Sequence, residues 1–266
     1  MMLSFFEKIG LTLKTWTSIV TDFLHLNLQT QYWVIFGPSR NKPVRSEAVF
    51  DQMVFMGAKS IIIVFFVTFF TGIVLAMQSA YQLQKMGAVM YVSSLVSISI
   101  CRELGPVLTA LVIAGRIGAA ITAEIGSMKV NEQIEALDTM GINPVRFLIV
   151  PKFLALLFML PCLTVIGDVA GILGGYLVGV YNLKINAALY LQTTYKFLTH
   201  KDIYTGLSKS VVFAMIIAMV GCYQGLKTSG GAVGVGKATT ISVVTSFILI
   251  IVADCIMTGI YYFSNL

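Results

Sequence analysis

The sequence predicts an all-α integral membrane protein. Of its 266 residues, 57% are hydrophobic and only 11% are charged, whereas soluble domains carry about 25% charged residues. The apolar residues form runs of about 20, the length that crosses a hydrocarbon core as a helix. Most lysines and arginines stand at the ends of these runs, as positively charged cytoplasmic loops require. We therefore predict a single membrane domain over residues 1–266 with about five transmembrane helices.

Other classes of protein fit the composition poorly. The net charge is +6, but the basic residues are not clustered as nucleic-acid binding would need. The four cysteines are widely spaced, with no CxxC motif or Cys/His pair, so we predict no metal site. Residues 231–237 nearly fit a phosphate-binding loop, but Ala238 replaces the Ser/Thr and no soluble strand precedes them. We therefore predict no nucleotide site in this chain.

The chain begins with a predicted amphipathic helix over residues 2–26. Its apolar residues recur at helical spacing between charged ones, which favours a helix lying in the membrane interface. A basic linker follows, and together they cover residues 1–45. The first transmembrane helix is predicted from Lys59 to Gln78, with Gln78 and Tyr81 at its far end.

The second transmembrane helix, predicted over residues 89–120, leads into a stretch that combines apolar residues with charges. Charge inside a membrane segment is costly and by default marks function. Pro106 should interrupt the helix, because it removes one backbone hydrogen bond. The first two charged residues fit either an interfacial arginine paired locally with its neighbouring glutamate or a functional site, which the repeated charges favour. The last two lie two turns apart on a similar face and can approach each other directly or through water, within one subunit or across a dimer. These residues are Arg102, Glu103, Arg116 and Glu124.

Residues 129–143 have the pattern of a water-soluble helix, with an apolar stripe opposite an acidic face. Asn131 is a predicted N-cap, and Gly141 is a predicted stop. The segment fits a surface helix at the membrane edge, or a coupling helix that docks into a partner protein. Its candidate contact residues are Asn131, Glu132, Glu135, Leu137, Asp138 and Gly141.

The rest of the chain supplies three more transmembrane helices, predicted over residues 153–181, 211–226 and 241–263. Glycine recurs every fourth residue in the first of them, at Gly167, Gly171, Gly175 and Gly179, which predicts close helix packing. For Asp168, beside this stripe, we expect a hydrogen bond between helices. Residues 182–209 predict an external amphipathic segment, and residues 227–237 predict a flexible turn.

Residues 102–144, RELGPVLTALVIAGRIGAAITAEIGSMKVNEQIEALDTMGINP, resemble the characteristic sequence of the MlaE-type permeases. These are the membrane subunits of lipid-transporting ABC systems. The resemblance extends to the amphipathic N-terminus, the Gln78 helix end, the glycine-rich helix and the KATT segment at 237–240. It implies a multi-pass protein of the bacterial inner membrane. The positions of the basic residues place the N-terminus in the cytoplasm and the C-terminus on the periplasmic side.

The resemblance also implies the partners. It implies a homodimer bound by two cytoplasmic ATPase subunits, which hold ATP and Mg, while this chain itself holds no cofactor. It implies a periplasmic MCE-domain protein that carries phospholipid between the inner and outer membranes. Residues 131–141 match the family's coupling helix, and four residues match the region lining its lipid cavity: Gln78, Tyr81, Arg102 and Glu103. Asp168 has no counterpart in the family pattern.

The chemistry of these residues agrees with lipid transport but also fits other functions. Arg102 can pair with a lipid phosphate, and Glu103 would hold it in place when no lipid is bound. A third possibility is a structural membrane anchor for a soluble complex. An ion or proton channel would use charges inside the helices, namely Arg102, Glu103, Arg116, Glu124, Asp168 and Asp254.

Overall fold

The computed structural model describes residues 2–37 and 45–263, without the side chains of residues 2–16 and 19. Within this part every regular element is a helix, and short 3-10, π-helical or irregular segments separate the α-helices. The α-helices are α1 Met2–Phe36, α2 Ser46–Met56, α3 Ile61–Lys85, α4 Val92–Ser99, α5 Gly105–Ile113, α6 Ala119–Val130, α7 Gln133–Thr139, α8 Val150–Leu177, α9 Ala187–Phe197, α10 His200–Leu226 and α11 Gly231–Phe263.

Five helical spans in the described residues are long and apolar enough to cross a membrane. They are Ser46–Lys85, Val89–Val130, Val145–Asn182, His200–Leu226 and Gly231–Phe263. This confirms an all-α integral membrane protein with five transmembrane helices. Because successive spans run in opposite directions, α7 lies at one end of the bundle and α9 at the other. We call these the α7 end and the α9 end.

Several helices extend further than the sequence predicts. α1 continues to Phe36, and the fifth span begins at Gly231, so most of the flexible turn predicted over residues 227–237 is helical. A membrane span must satisfy its backbone hydrogen bonds internally, so a helix continues through glycines that would end it in water. The external segment also ends early, because Thr199 and Asp202 form a capping box that starts α10 at His200.

The glycine stripe of α8 packs against α3, as predicted. A Cβ atom added to Gly72 would lie 2.9 Å from the Cα atom of Gly171, closer than real Cβ atoms approach. Nearly one turn further along α8, a Cβ atom added to Gly174 would likewise overlap the backbone of Phe69. The two helix backbones therefore touch along this stripe, which anchors the third span to the first.

α1 packs across the α7 end of the bundle. The ring of Phe23 lies edge-on to Tyr223 with 5.6 Å between centroids, and Leu26 and Thr30 are buried. Asp22 Oδ2 lies 3.0 Å from Lys227 Nζ, at the end of the fourth span. The basic linker predicted after α1 includes residues 38–44, which lie outside the described residues.

Candidate functional site

Arg102 and Glu103 stand on a π-helical turn, Ile100–Leu104, in the second span. The Gly105 amide donates to the Ile100 carbonyl and closes the turn, and Pro106 follows in the first turn of α5. Proline has no amide hydrogen, so the chain cannot keep an unbroken α-helical pattern here. The predicted interruption at Pro106 is therefore this wider turn, a type often found at functional sites.

Arg102 and Glu103 do not pair with each other, and that prediction is wrong. Arg102 Nη1 lies 3.5 Å from Asp202 Oδ1, whereas the Glu103 carboxylate accepts a hydrogen bond from Lys209 Nζ. Consecutive residues of a helix do not face each other, so each side chain meets a different residue of α10. Both partners come from a segment that the sequence placed outside the membrane.

Lys209 is the centre of a polar cluster, the Lys209 cluster, formed with Glu103, Asp254 and Thr258. Lys209 is completely buried, and its Nζ donates to the Glu103 carboxylate and, at 2.7 Å, to Thr258 Oγ1. The same Nζ lies 2.9 Å from Asp254 Oδ1. The ammonium therefore donates two hydrogen bonds and forms a further ion pair with Asp254, which compensates the burial of its charge. The Glu103 side chain is 37% exposed and the Asp254 side chain 23% exposed, so the cluster reaches the bundle surface.

Gln78 and Tyr81 lie at the same α9 end, on the exposed side of α3. Lys85 Nζ donates a 3.0 Å hydrogen bond to the Tyr81 hydroxyl. Across the described part of the chain, neither Gln78 nor Tyr81 shares a hydrogen bond or ion pair with Arg102. The Arg102–Asp202 pair and the Lys209 cluster together form what we call the ion-pair layer. The four predicted lipid-binding residues thus share one end of the bundle, but only Arg102 and Glu103 lie in this layer.

Arg116 and Glu124 also pair with other spans rather than with each other. Arg116 Nη1 donates to Ser60 Oγ just before α3, in the first span, and Lys152 Nζ donates at 2.7 Å to Glu124 Oε1. Eight residues of helix separate Arg116 from Glu124 by about 12 Å along the axis. The approach within one chain is therefore wrong, and a pairing across a dimer stays a prediction. The Lys152–Glu124 pair instead joins the second span to the third.

The segment that resembles a coupling helix forms α7 at the opposite end. Asn131 ends α6, and Glu132 occupies the N-cap in the left-handed region with φ 57° and no side-chain cap bond, so the capping prediction is wrong. Gly141 has φ 73°, a conformation that glycine adopts without strain, and follows the end of the helix as predicted. Ile134 is buried beneath α7.

The acidic face of α7 is exposed, as the sequence predicts. Glu132, Glu135 and Asp138 are all exposed, and Leu137 is half-buried. Lys129 Nζ donates a hydrogen bond to Glu135, which lowers the pKa of that carboxyl below its usual value. The face presents three carboxylates to a partner, one of them already held by a lysine.

The sequence did not reveal three of the ion-pair partners, Asp202, Lys209 and Lys152, or the hydrogen-bond partner Thr258. Lys209 and Asp202 were assigned to an external segment because polar residues surround them. Asp254 indicated such a partner, because a carboxylate inside an apolar run needs a cation from another span. Thr258 lies one turn after Asp254 on the same helix face, which gives it access to the same cation.

Five apolar spans that enclose ion pairs and present an exposed acidic helix at one end define a multi-pass membrane protein. Residues 49–260 match the family described as Permease MlaE. A probable ABC transporter permease protein of Rickettsia bellii is 43% identical over 220 residues, covering 83% of this chain and 85% of the relative. A similarly named protein of Synechocystis is 39% identical over 212 residues, or 80% and 81% of the two chains. The chain belongs to the MlaE permease family.

Proposed function

We propose that this chain is the permease subunit of an ABC transporter that moves phospholipids between the inner and outer membranes. The observation that carries the proposal is the ion-pair layer at the α9 end. There an arginine and a buried lysine lie among carboxylates inside an otherwise apolar bundle. A lipid site needs apolar walls for acyl chains and a few polar groups for the headgroup.

Arg102 is the group best suited to bind the headgroup phosphate. Its side chain is 39% exposed, and its ion pair with Asp202 is long, at 3.5 Å. A phosphate can replace that carboxylate and accept two hydrogen bonds from the guanidinium group. Lys209 is fully buried and already has three partners, so it serves to hold Glu103 in place.

The α7 end is proposed to bind the partner ATPase subunits, with the acidic face of α7 as the contact. α7 lies between the second and third spans, and the Lys152–Glu124 ion pair joins those two spans beside it. Movement of α7 would therefore shift both spans together. Through them it would reach the π-helical turn that carries Arg102.

The proposed assembly has different partners at the two ends of the bundle. Two copies of the chain form a homodimer in the bacterial inner membrane, with two ATPases that bind ATP and Mg on the cytoplasmic α7 end. The MCE-domain lipid carrier docks at the periplasmic α9 end. This arrangement puts the N-terminus in the cytoplasm and the C-terminus in the periplasm.

Reconstituted complexes of permease, ATPase and lipid carrier test the proposal. R102Q should lower ATP-driven phospholipid transfer at least about tenfold, since a hydrogen bond to a charged group contributes about 1.5–3 kcal/mol. E135K should lower transfer by weakening ATPase binding. The matched controls are K59Q, at an exposed lysine just before α3, and E47K, at an exposed glutamate of α2. Normal ATP-coupled transfer in both R102Q and E135K would contradict the proposal.

The alternative function, an ion or proton channel, gives a different result in the same vesicles. A channel needs no ATPase, so vesicles with the permease alone would conduct. A permease that co-purifies with an ATPase in mild detergent and conducts no ions supports the transporter.

A further inference from the structure

Asp168 is a buried carboxyl group in the third span, outside the ion-pair layer described above. Its residue is only 8% exposed, and its Oδ1 atom is buried without a hydrogen-bond partner among the described residues. No lysine or arginine within the described residues forms an ion pair with it. A carboxylate buried without a cation is unstable, whereas a neutral carboxylic acid needs only a hydrogen-bond acceptor.

The surroundings of Asp168 supply such an acceptor. Its Oδ1 atom presses against Gly105, at a point where a Cβ atom of that residue would lie. The Ile100 carbonyl oxygen lies 2.9 Å from that Cβ position, so this oxygen and Asp168 Oδ1 are neighbours beside Gly105. A negative carboxylate beside a carbonyl oxygen would be repelled, but a protonated one can donate a hydrogen bond to it. The carbonyl can accept this bond as well as the one from the Gly105 amide, because it has two lone pairs.

Ile100 and Gly105 are the two ends of the π-helical turn that carries Arg102 and Glu103. A side chain that binds this turn from the third span fixes how far it opens. A side chain at residue 105 would displace the Asp168 carboxyl group from this position.

We propose that Asp168 is a positioning residue for Arg102 and Glu103, held as the neutral acid and donating its hydroxyl hydrogen to the Ile100 carbonyl. Asp168 therefore does not touch the lipid. It sets the conformation of the turn from which Arg102 reaches the headgroup. The inference rests on the proposed function of Arg102.

Two substitutions at Asp168 separate this role from general packing. D168N keeps the size and a hydrogen-bond donor, so it should transfer phospholipid at the wild-type rate. D168L fills the space without a donor and should lower transfer about fivefold or more, as loss of one buried hydrogen bond implies. T164V is the matched control, because the buried Thr164 hydroxyl bonds only within its own helix, at 2.9 Å to the Leu160 carbonyl.

Infrared difference spectroscopy of the purified full-length permease gives a measurement independent of activity. Wild-type protein at neutral pH should show a protonated carboxyl C=O band that is absent in D168N. Absence of that difference overturns the inference, as does loss of transfer in D168N or normal transfer in D168L. If D168L does not assemble with the ATPase, the transfer rate of D168N and the infrared band still test the inference.

R102Q, measured alongside, separates this inference from the proposed function. Normal transfer in R102Q contradicts the proposed headgroup site. Loss of transfer in R102Q together with normal transfer in D168L contradicts only the role of Asp168.

Discussion

Substitution of Gly72 by alanine tests the close contact between α3 and α8. The new Cβ atom would lie 2.7 Å from the carbonyl carbon of Gly171 and 2.9 Å from its Cα atom. Both are backbone atoms, so no side chain can rotate away, and α3 and α8 must separate. Such overpacking costs about 1–3 kcal/mol. The better helix propensity of alanine returns up to about 1 kcal/mol, and we expect a net loss of about 1–2 kcal/mol.

Thermal unfolding in detergent measures this loss. G259A is the matched control, because Gly259 lies in the fifth span with nothing within 4 Å of an added Cβ atom. We expect G259A to be as stable as wild type or slightly more stable, while G72A unfolds at lower temperature. If the two variants have the same unfolding midpoint, the close approach of α3 and α8 is wrong.

Two more predictions concern ionised groups. K209M leaves Glu103 and Asp254 without their cation; breaking a buried pair costs about 3–5 kcal/mol, and the partial exposure of both carboxylates lowers this. Thermal unfolding should show the loss and K209M/E103Q should recover part of it, whereas a wild-type midpoint in K209M would contradict the cluster. K129M should raise the pKa of Glu135 toward its ordinary value in an NMR titration. Because the pKa of Glu135 is lowered in the folded state, the stabilisation from the Lys129–Glu135 contact is present at neutral pH and is lost on acidification. An unchanged Glu135 pKa in K129M would refute this contact.

The spans and their packing could be predicted from the sequence because they depend on local properties. Apolar length predicts how many helices cross the membrane, and glycine at every fourth residue predicts which face packs closely. Both follow from one helix considered alone. The contact of Gly171 with Gly72 needed only a partner that also lacked a side chain.

The ion-pair partners could not be predicted in the same way. Glu103 is 106 residues from Lys209 in the sequence, and helix spacing cannot show which spans are neighbours. Local reasoning therefore paired Glu103 with Arg102. Lys209 was misplaced for a related reason, since the polar residues before it resemble a loop although the capping box already starts α10 at His200.

The π-helical turns explain why α-helical spacing fails for the arginines in particular. Arg102, Arg116 and Arg146 each lie in such a turn, at Ile100–Leu104, Ala114–Gly118 and Val145–Ile149. A π turn holds one more residue than an α turn, so it rotates all later side chains relative to earlier ones. Helix faces predicted with 3.6 residues per turn are therefore wrong for the residues beyond each of these arginines. The second span contains two of these π turns. At each of them a charged side chain can point toward another span instead of toward lipid. We therefore attribute the ion-pair layer to the turns as much as to the charged residues themselves.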